Sequence, residues 1–575
     1  MPPELPAVPF DRPSRRGLSR RGLSRRGVVL GGLAVLPLLS ACTFDSASPA
    51  GGSDDDPQEA PRTQAAAPAG PVALAADAAS ASGLLFTAAP LVVVVEDVPA
   101  SVLLAAQVSI AWGVPLLVES APASSAGSAS PSAAPESAAS ESAAPGSPSP
   151  GTSAAASPVD AELARLGTTR ILAVGAVAEH AGVETAPADA DAASIEEASG
   201  VAVAALDAAA LVAVAPGTPA EPPFGALPAR AEPLAGVTAL AQAADVAALA
   251  NARAAGVPVT LVADGVTDLL ASGDAVTAIA EASASCTLLL GTALAAQPLP
   301  DWSVRAAASG WQLPGGGQRL FGGHLYVAIY GTPGAPVLGV LGEQGLDATI
   351  ARAAAVAEPY RSLTDLQVVP SLEIITTVAA GSAGGDGDYS NELDPAGIRP
   401  YIDAAAAAGM YVVLDLQPGR SDFLGQAQAY EELLRLPNVG LALDPEWRLA
   451  PDEVPLAQIG RVEAAEVDSV STWLADLVQR EGLPPKMFVL HQFRLSMLQD
   501  RESIRRDRPE LEFLIHVDGQ GGQPDKQATW NALHEGAPEG IAWGWKNFYD
   551  EDLPMLTPAE TMAQVAPLPD LVTYQ

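Results

Sequence analysis

Residues 440–447, Gly-Leu-Ala-Leu-Asp-Pro-Glu-Trp, place two carboxylates, Asp444 and Glu446, directly after a short apolar run. If that run is a buried strand, side chains two apart leave on one face, roughly 6–7 Å apart while the backbone stays extended. Crowding of like charges raises a carboxyl pKa, and general-acid catalysis needs a carboxyl that keeps its proton near neutral pH. Glu446 is the expected proton donor, with Asp444 beside it. Other apolar runs end in the same kinds of group. Asp415 and Gln417 share a face at the end of one, and His516 and Asp518 share a face at the end of another. The run at 489–494 offers His491 on one face and Gln492 with Arg494 on the other. Trp543 pairs with Trp545, while Lys546 faces opposite. Glu373 lies within a further run. Singly, each has a plain structural use: an aspartate capping a loop, a hydrogen-bonded core histidine, a tryptophan filling space.

The elements that would carry these groups number eight. Strand-like runs at 325–330, 368–377, 411–416, 439–443, 487–493, 512–517, 541–545 and 571–574 alternate with helical segments. The segments are 346–360, 397–408, 423–436, 464–481, 495–506, 525–534 and 558–565. Eight β/α units in about 250 residues match a (β/α)8 TIM-like barrel, expected over residues 321–575, and the carboxyl ends of such strands are where functional groups gather. An open doubly wound sheet is the alternative, with a crevice in place of a central mouth. Polar groups buried at this density are costly unless they bond one another, which argues against a purely structural role.

Two carboxylates with hydrogen-bonding amides and imidazoles suit a sugar ring, and Trp447, Trp543, Trp545 and Tyr549 could stack on its apolar faces. The run at 441–447 resembles the Asp-x-Glu strand end of glycoside hydrolase families 18 and 25, chitinases and muramidases on similar barrels. The resemblance implies Glu446 as proton donor and Asp444 as the group that orients or assists it. Val439 and Ala442 stand where family 18 has further acids. The catalytic candidates are thus Glu446, Asp444, Asp415 and Asp518. Gln417, His491, Gln492, His516, Trp543, Trp545 and Lys546 are candidates for holding substrate.

Two alternatives stay open. Asp415, Asp444, His491, His516 and Asp518 are all metal-ligand types, so a metal-dependent hydrolase is conceivable. No His-x-His or His-Glu-x-x-His pattern supports it, so no metal or cofactor is expected. A barrel that binds wall polymer without cleaving it is the other.

Residues 83–300 read as a separate α/β domain. The segment at 108–118 has the form helix end, Gly, Val-Pro, strand, and the segment at 251–262 repeats it. Each copy is followed by a helix and a second strand, the first only after a Ser/Ala/Pro-rich insert at 120–158 that reads as disordered. A duplicated, mostly parallel sheet is expected. The pattern resembles the cell-wall-binding repeat 2 family over roughly residues 84–295, which implies a domain that binds or scaffolds. Thr260 and Gly291-Thr292 depart from that family's usual residues.

The N-terminus has Arg-Arg-Gly three times over, an apolar run at 28–39 and then Leu39-Ser40-Ala41-Cys42. This is the layout of an export signal, too short to span a membrane once mature. Residues 24–30 resemble a twin-arginine signal and residues 39–42 a bacterial lipobox. The resemblance implies a signal at 1–42 and lipidation of Cys42. Residues 43–82, rich in Ala, Pro, Ser, Gly and Asp, then read as a disordered tether. The whole chain resembles exported lipoproteins of high-GC Gram-positive bacteria, implying a lipid-anchored protein at the outer face of the cell membrane with cell-wall glycan as partner. A net charge of −37 argues against nucleic acid. Cys286 is the one other cysteine and reads as a small core residue.

Overall fold

The computed structural model describes residues 61–120, 157–217, 222 and 225–575. The signal, the lipobox at Cys42, residues 43–60 of the expected tether and nearly all of the 120–158 insert lie outside the described residues; residues 61–82, expected to be disordered tether, instead carry the strand Val72–Ala75 and the start of the helix Ala78–Leu85. Among the described residues, no helix is long and apolar enough to cross a membrane.

Two four-stranded parallel sheets form the N-terminal part. One runs Leu116–Glu119, Leu91–Glu96, Arg170–Val174, Glu184–Ala188; the other runs Val259–Leu261, Val237–Ala241, Cys286–Leu290, Val72–Ala75. Most of these strands are Val/Leu/Ala runs, as burial on both faces requires. The two Gly-Val-Pro segments adopt one local form. Gly113 (φ 70°) and Gly256 (φ 78°) each take the left-handed conformation after a helix, which an L side chain resists. The following N–H groups, of Val114 and Val257, turn back to Ser109 and Ala252 carbonyls. Asn251, fully buried, ties the halves together: its Oδ1 accepts from Leu116 N, and its Nδ2 donates to the Leu116 and Ala78 carbonyls.

Eight parallel strands form the C-terminal part: β1 His324–Gly331, β2 Gln367–Ala379, β3 Tyr411–Leu416, β4 Val439–Leu443, β5 Lys486–His491, β6 Leu511–Val517, β7 Ala542–Asn547 and β8 Leu571–Tyr574. Each pairs with the next, and β1 pairs with both β2 and β8, which closes the barrel. The open-sheet alternative is therefore excluded. A short antiparallel strand, Ser390–Glu392, extends β2 beyond the barrel.

Alternation sorts each strand into an inner and an outer face. Tyr326, Val369, Tyr411, Met487 and Leu514 fill the lower interior, while Leu325, Leu372, Val412, Phe488 and Ile515 point out to the helices. Residues 311–321, to which the sequence reading assigned no role, plug the amino-terminal end. Leu313 and Leu320 join the interior cluster, and Trp311 and Phe321 pack against it. The helix Pro300–Ala308 docks alongside, where Trp302 Nε1 donates to the Leu483 carbonyl.

Six of the seven expected helical segments form helix, that at 423–436 in two pieces around Tyr430. Residues 495–506 do not. They break into single turns flanking Leu498–Gln499, which pairs with Val462–Glu463, and Asp500 sits at φ 52°. Arg501 explains the break. Its buried guanidinium donates to the Leu533 carbonyl and to Gln492 Oε1, and that tertiary anchoring outweighs helical propensity.

Candidate functional site

The inner face changes character at the carboxyl ends of the strands. Tyr330 (β1), Glu373 (β2), Asp415 (β3), His491 (β5), His516 (β6), Lys546 (β7) and Thr573 (β8) all occupy inward register positions, and all are buried. Asp444 follows β4 directly, and Asp518 follows β6. The strands are polar where they end and apolar below, so one folding event both packs the core and assembles a polar mouth.

His491 sits at the centre. Its Nδ1 is 2.9 Å from Asp518 Oδ2, and its Nε2 is 2.9 Å from Glu373 Oε1 and 3.8 Å from Asp415 Oδ1. Carboxylates at both ring nitrogens favour a proton on each. Burial opposes the imidazolium, but Asp415 and the hydrogen bonds to Asp518 and Glu373 outweigh it and hold the pKa well above the usual histidine value. Glu373 Oε1 also lies 3.2 Å from His516 Nδ1, and its Oε2 accepts from Thr573 Oγ1 at 3.1 Å. Burial would raise the Glu373 pKa; the two histidines hold it well below the ordinary range. His516 goes the other way, its pKa lowered by burial against the pull of Glu373. Gly544 makes room for that ring, since a Cβ there would lie 2.8 Å from His516 Cδ2.

Around this centre Asp415, Asp444 and Glu446 hold their protons more tightly. Burial pushes Asp415 up to about 6, with His491 opposing and Glu373 reinforcing the shift. Tyr330 donates to its Oδ2 at 2.7 Å. Asp444 is raised well above the usual carboxyl range by burial, with Asp415, Asp518 and Glu446 adding to it against the pull of His491. Glu446 reaches about 7, first by burial and then by the Asp518 charge, with Lys546 pulling the other way. The backbone does not stay extended between the two acids. Asp444 Oδ1 accepts from Glu446 N at 3.1 Å, and Pro445–Trp447 makes a single turn. Asp444 therefore caps the turn and still faces the mouth, while Glu446 is half-buried at its rim.

Gln417 joins the rim: its Oε1 accepts from Ala379 N, and its Nε2 approaches the Tyr330 hydroxyl at 3.4 Å. Of the expected residues, the structure thus gathers Asp415, Gln417, Asp444, Glu446, His491, His516, Asp518 and Lys546 at one mouth.

Three do not join them. Trp543 and Trp545, expected to hold substrate, point outward from β7 into the layer between barrel and helices. There Trp543 stacks on His534 at 3.6 Å, and Trp545 packs edge-on to Trp530 at 5.6 Å. Alternation dictates this: inward Ala542, Gly544 and Lys546 leave the two tryptophans outside. Gln492 also faces away, accepting from Arg501 and donating to the Arg494 carbonyl. Conversely, Tyr330 and Thr573 belong to the mouth and were not singled out in the sequence. Both lie at or one residue from the end of an expected strand, and inward register was the signal that could have found them.

A concavity of about 780 Å³ lies at the carboxyl ends of both N-terminal sheets. It is lined mainly by aliphatic groups such as Val102, Leu117, Pro158 and Val246. No family model, no curated protein and no solved structure matches the chain.

Proposed function

We propose that the barrel is a hydrolase acting on glycosidic bonds of a cell-wall or other surface polysaccharide, with Glu446 as proton donor and Asp444 assisting it. One observation carries this reading: a half-buried carboxyl at the barrel rim, raised to about 7, above a mouth of hydrogen-bonded acids and imidazoles. A carboxyl in that range is matched to general-acid work near neutral pH. Asp415 and Asp518 are the further acids of the mouth, and Gln417, His491, His516 and Lys546 offer the polar contacts that hydroxyl groups require. Aromatic surface for a sugar face comes from half-buried Trp447 and exposed Tyr549 rather than from Trp543 and Trp545. The short resemblance at 441–447 to families 18 and 25 agrees with these roles.

The N-terminal part is, on this reading, a duplicated wall-binding domain. Three strands of each sheet share one order and the turns at Gly113 and Gly256 are alike, which supports the duplication, although the fourth strand follows them in one sheet (Glu184–Ala188) and precedes them in the other (Val72–Ala75). Lipidation at Cys42 would hold the protein at the outer face of the membrane, within reach of that polymer. The experiment is release of reducing ends from purified wall polysaccharide by the full chain, beside Glu446→Gln. Loss of turnover by about 10²–10⁴-fold with binding retained is the expected result; wild-type turnover in the variant removes Glu446 from the role.

A further inference from the structure

We propose that Glu373, His491 and His516 hold a divalent transition-metal ion at the floor of the barrel mouth, with Asp415 closing the fourth position. Donor atoms of the first three all lie within 4.8 Å of one another. Glu373 Oε1 is 2.9 Å from His491 Nε2 and 3.2 Å from His516 Nδ1. Ligand atoms on a tetrahedral ion with bonds of about 2.0–2.1 Å stand roughly 3.3 Å apart, so the cluster needs only small movements to close on one. Loading would release the His491 Nε2 proton to solvent and shift the His516 proton from Nδ1 to Nε2.

A hydrogen-bonded network without metal accounts for these contacts but leaves two things over. The first is Asp415 Oδ1, fully buried, without a hydrogen-bond partner, and 3.8 Å from His491 Nε2. An unpaired buried carboxylate oxygen is costly, and a cation is the partner that would satisfy it. The second is the way three of the four donors are held from behind, His516 Nε2 alone having no partner there. Asp518 Oδ2 takes the other nitrogen of His491, Thr573 Oγ1 donates to the other oxygen of Glu373, and Tyr330 donates to the other oxygen of Asp415. Outer partners that orient ligands in this way are the usual surroundings of a metal centre. Two imidazoles with carboxylates favour zinc or a similar ion over magnesium or calcium, which prefer oxygen-only sets. The four residues come from four strands, so no short sequence pattern could have revealed them, and the sequence-based expectation of no metal rested on the absence of such patterns.

The inference does not rest on the glycan reading: it gives Asp415, His491 and His516 to a metal rather than to substrate, and it is tested without any substrate. The full chain, stripped with chelator and dialysed, is titrated with Zn2+ by calorimetry, and bound metal is counted by elemental analysis. One equivalent is expected, weakened at least tenfold in Glu373→Gln and in His516→Gln, and by about 10–100-fold in Asp518→Asn, which removes only the outer partner. Should those variants fail to fold, Cu2+ bound to the wild-type chain reports directly, its electron paramagnetic resonance spectrum showing coupling to two nitrogens. No stoichiometric binding, binding unchanged in folded Glu373→Gln and His516→Gln, or a spectrum without nitrogen coupling overturns the site.

Discussion

Lys546 Nζ stands 3.4 Å from the centroid of the Tyr330 ring, and the Tyr330 hydroxyl donates to Asp415 Oδ2 at 2.7 Å. The ammonium is thus seated on an aromatic face, a contact worth about 0.5–2 kcal/mol, and remains close enough to favour the ionised form of Glu446. Replacing it alters charge at the mouth without touching the acid itself.

Lys546→Met should therefore raise the Glu446 pKa above its value of about 7, because the one effect of Lys546 on that carboxyl is to lower it. Carboxyl 13C chemical shifts followed through a pH titration measure this directly. In a hydrolysis assay, the alkaline limb should move to higher pH. A fall in the Glu446 pKa would contradict the electrostatic account.

Glu446 should also make stability pH-dependent. Its folded pKa, about 7, exceeds the ordinary 4.5, so its contribution is fully present below 4.5 and is lost as pH rises through 7. Across that window the wild type should lose on the order of 2 kcal/mol that Glu446→Gln does not lose, allowing for partial exposure. Urea unfolding of both proteins at several pH values gives the difference.

Trp545→Ala should destabilise the barrel by about 3–5 kcal/mol, the usual result of emptying a large core site. Trp545 is almost fully buried against Trp530, outside the mouth. Denaturant midpoints should fall sharply, while affinity for an oligosaccharide ligand stays unchanged.

Gly544→Ala tests how tightly the floor of the mouth is packed. The added methyl would meet His516 Cδ2 at 2.8 Å, so the ring must shift, at a cost of about 1–3 kcal/mol. The His516 ring resonances should move together with the loss of stability.

In the N-terminal part, Asn251→Ala strips partners from the Leu116 N–H and from the Leu116 and Ala78 carbonyls. Buried groups left unpaired cost about 1–3 kcal/mol each before relaxation, and a net loss of about 2–4 kcal/mol is expected in thermal or urea unfolding.

The alternation of apolar runs with helical segments was enough to place all eight barrel strands, because a strand buried on both faces is a short apolar run whatever surrounds it. Acids and imidazoles clustering at the carboxyl ends of those runs also located Asp415, Asp444, Glu446, His491, His516 and Asp518 by local sequence. Tertiary structure alone decided which side of each strand faces inward. Trp543 and Lys546 differ by three positions and point to opposite sides of β7, and only barrel closure makes the lysine side the interior. Nor could the sequence join Glu373 to His491 and His516, 118 and 143 residues away, since that contact comes from three strands whose inner faces converge on one axis. The helix expected at 495–506 failed for the same physical reason: Arg501 found carbonyl partners at Leu533 and Glu535, more than thirty residues along the chain, and long-range bonds outweighed a local preference.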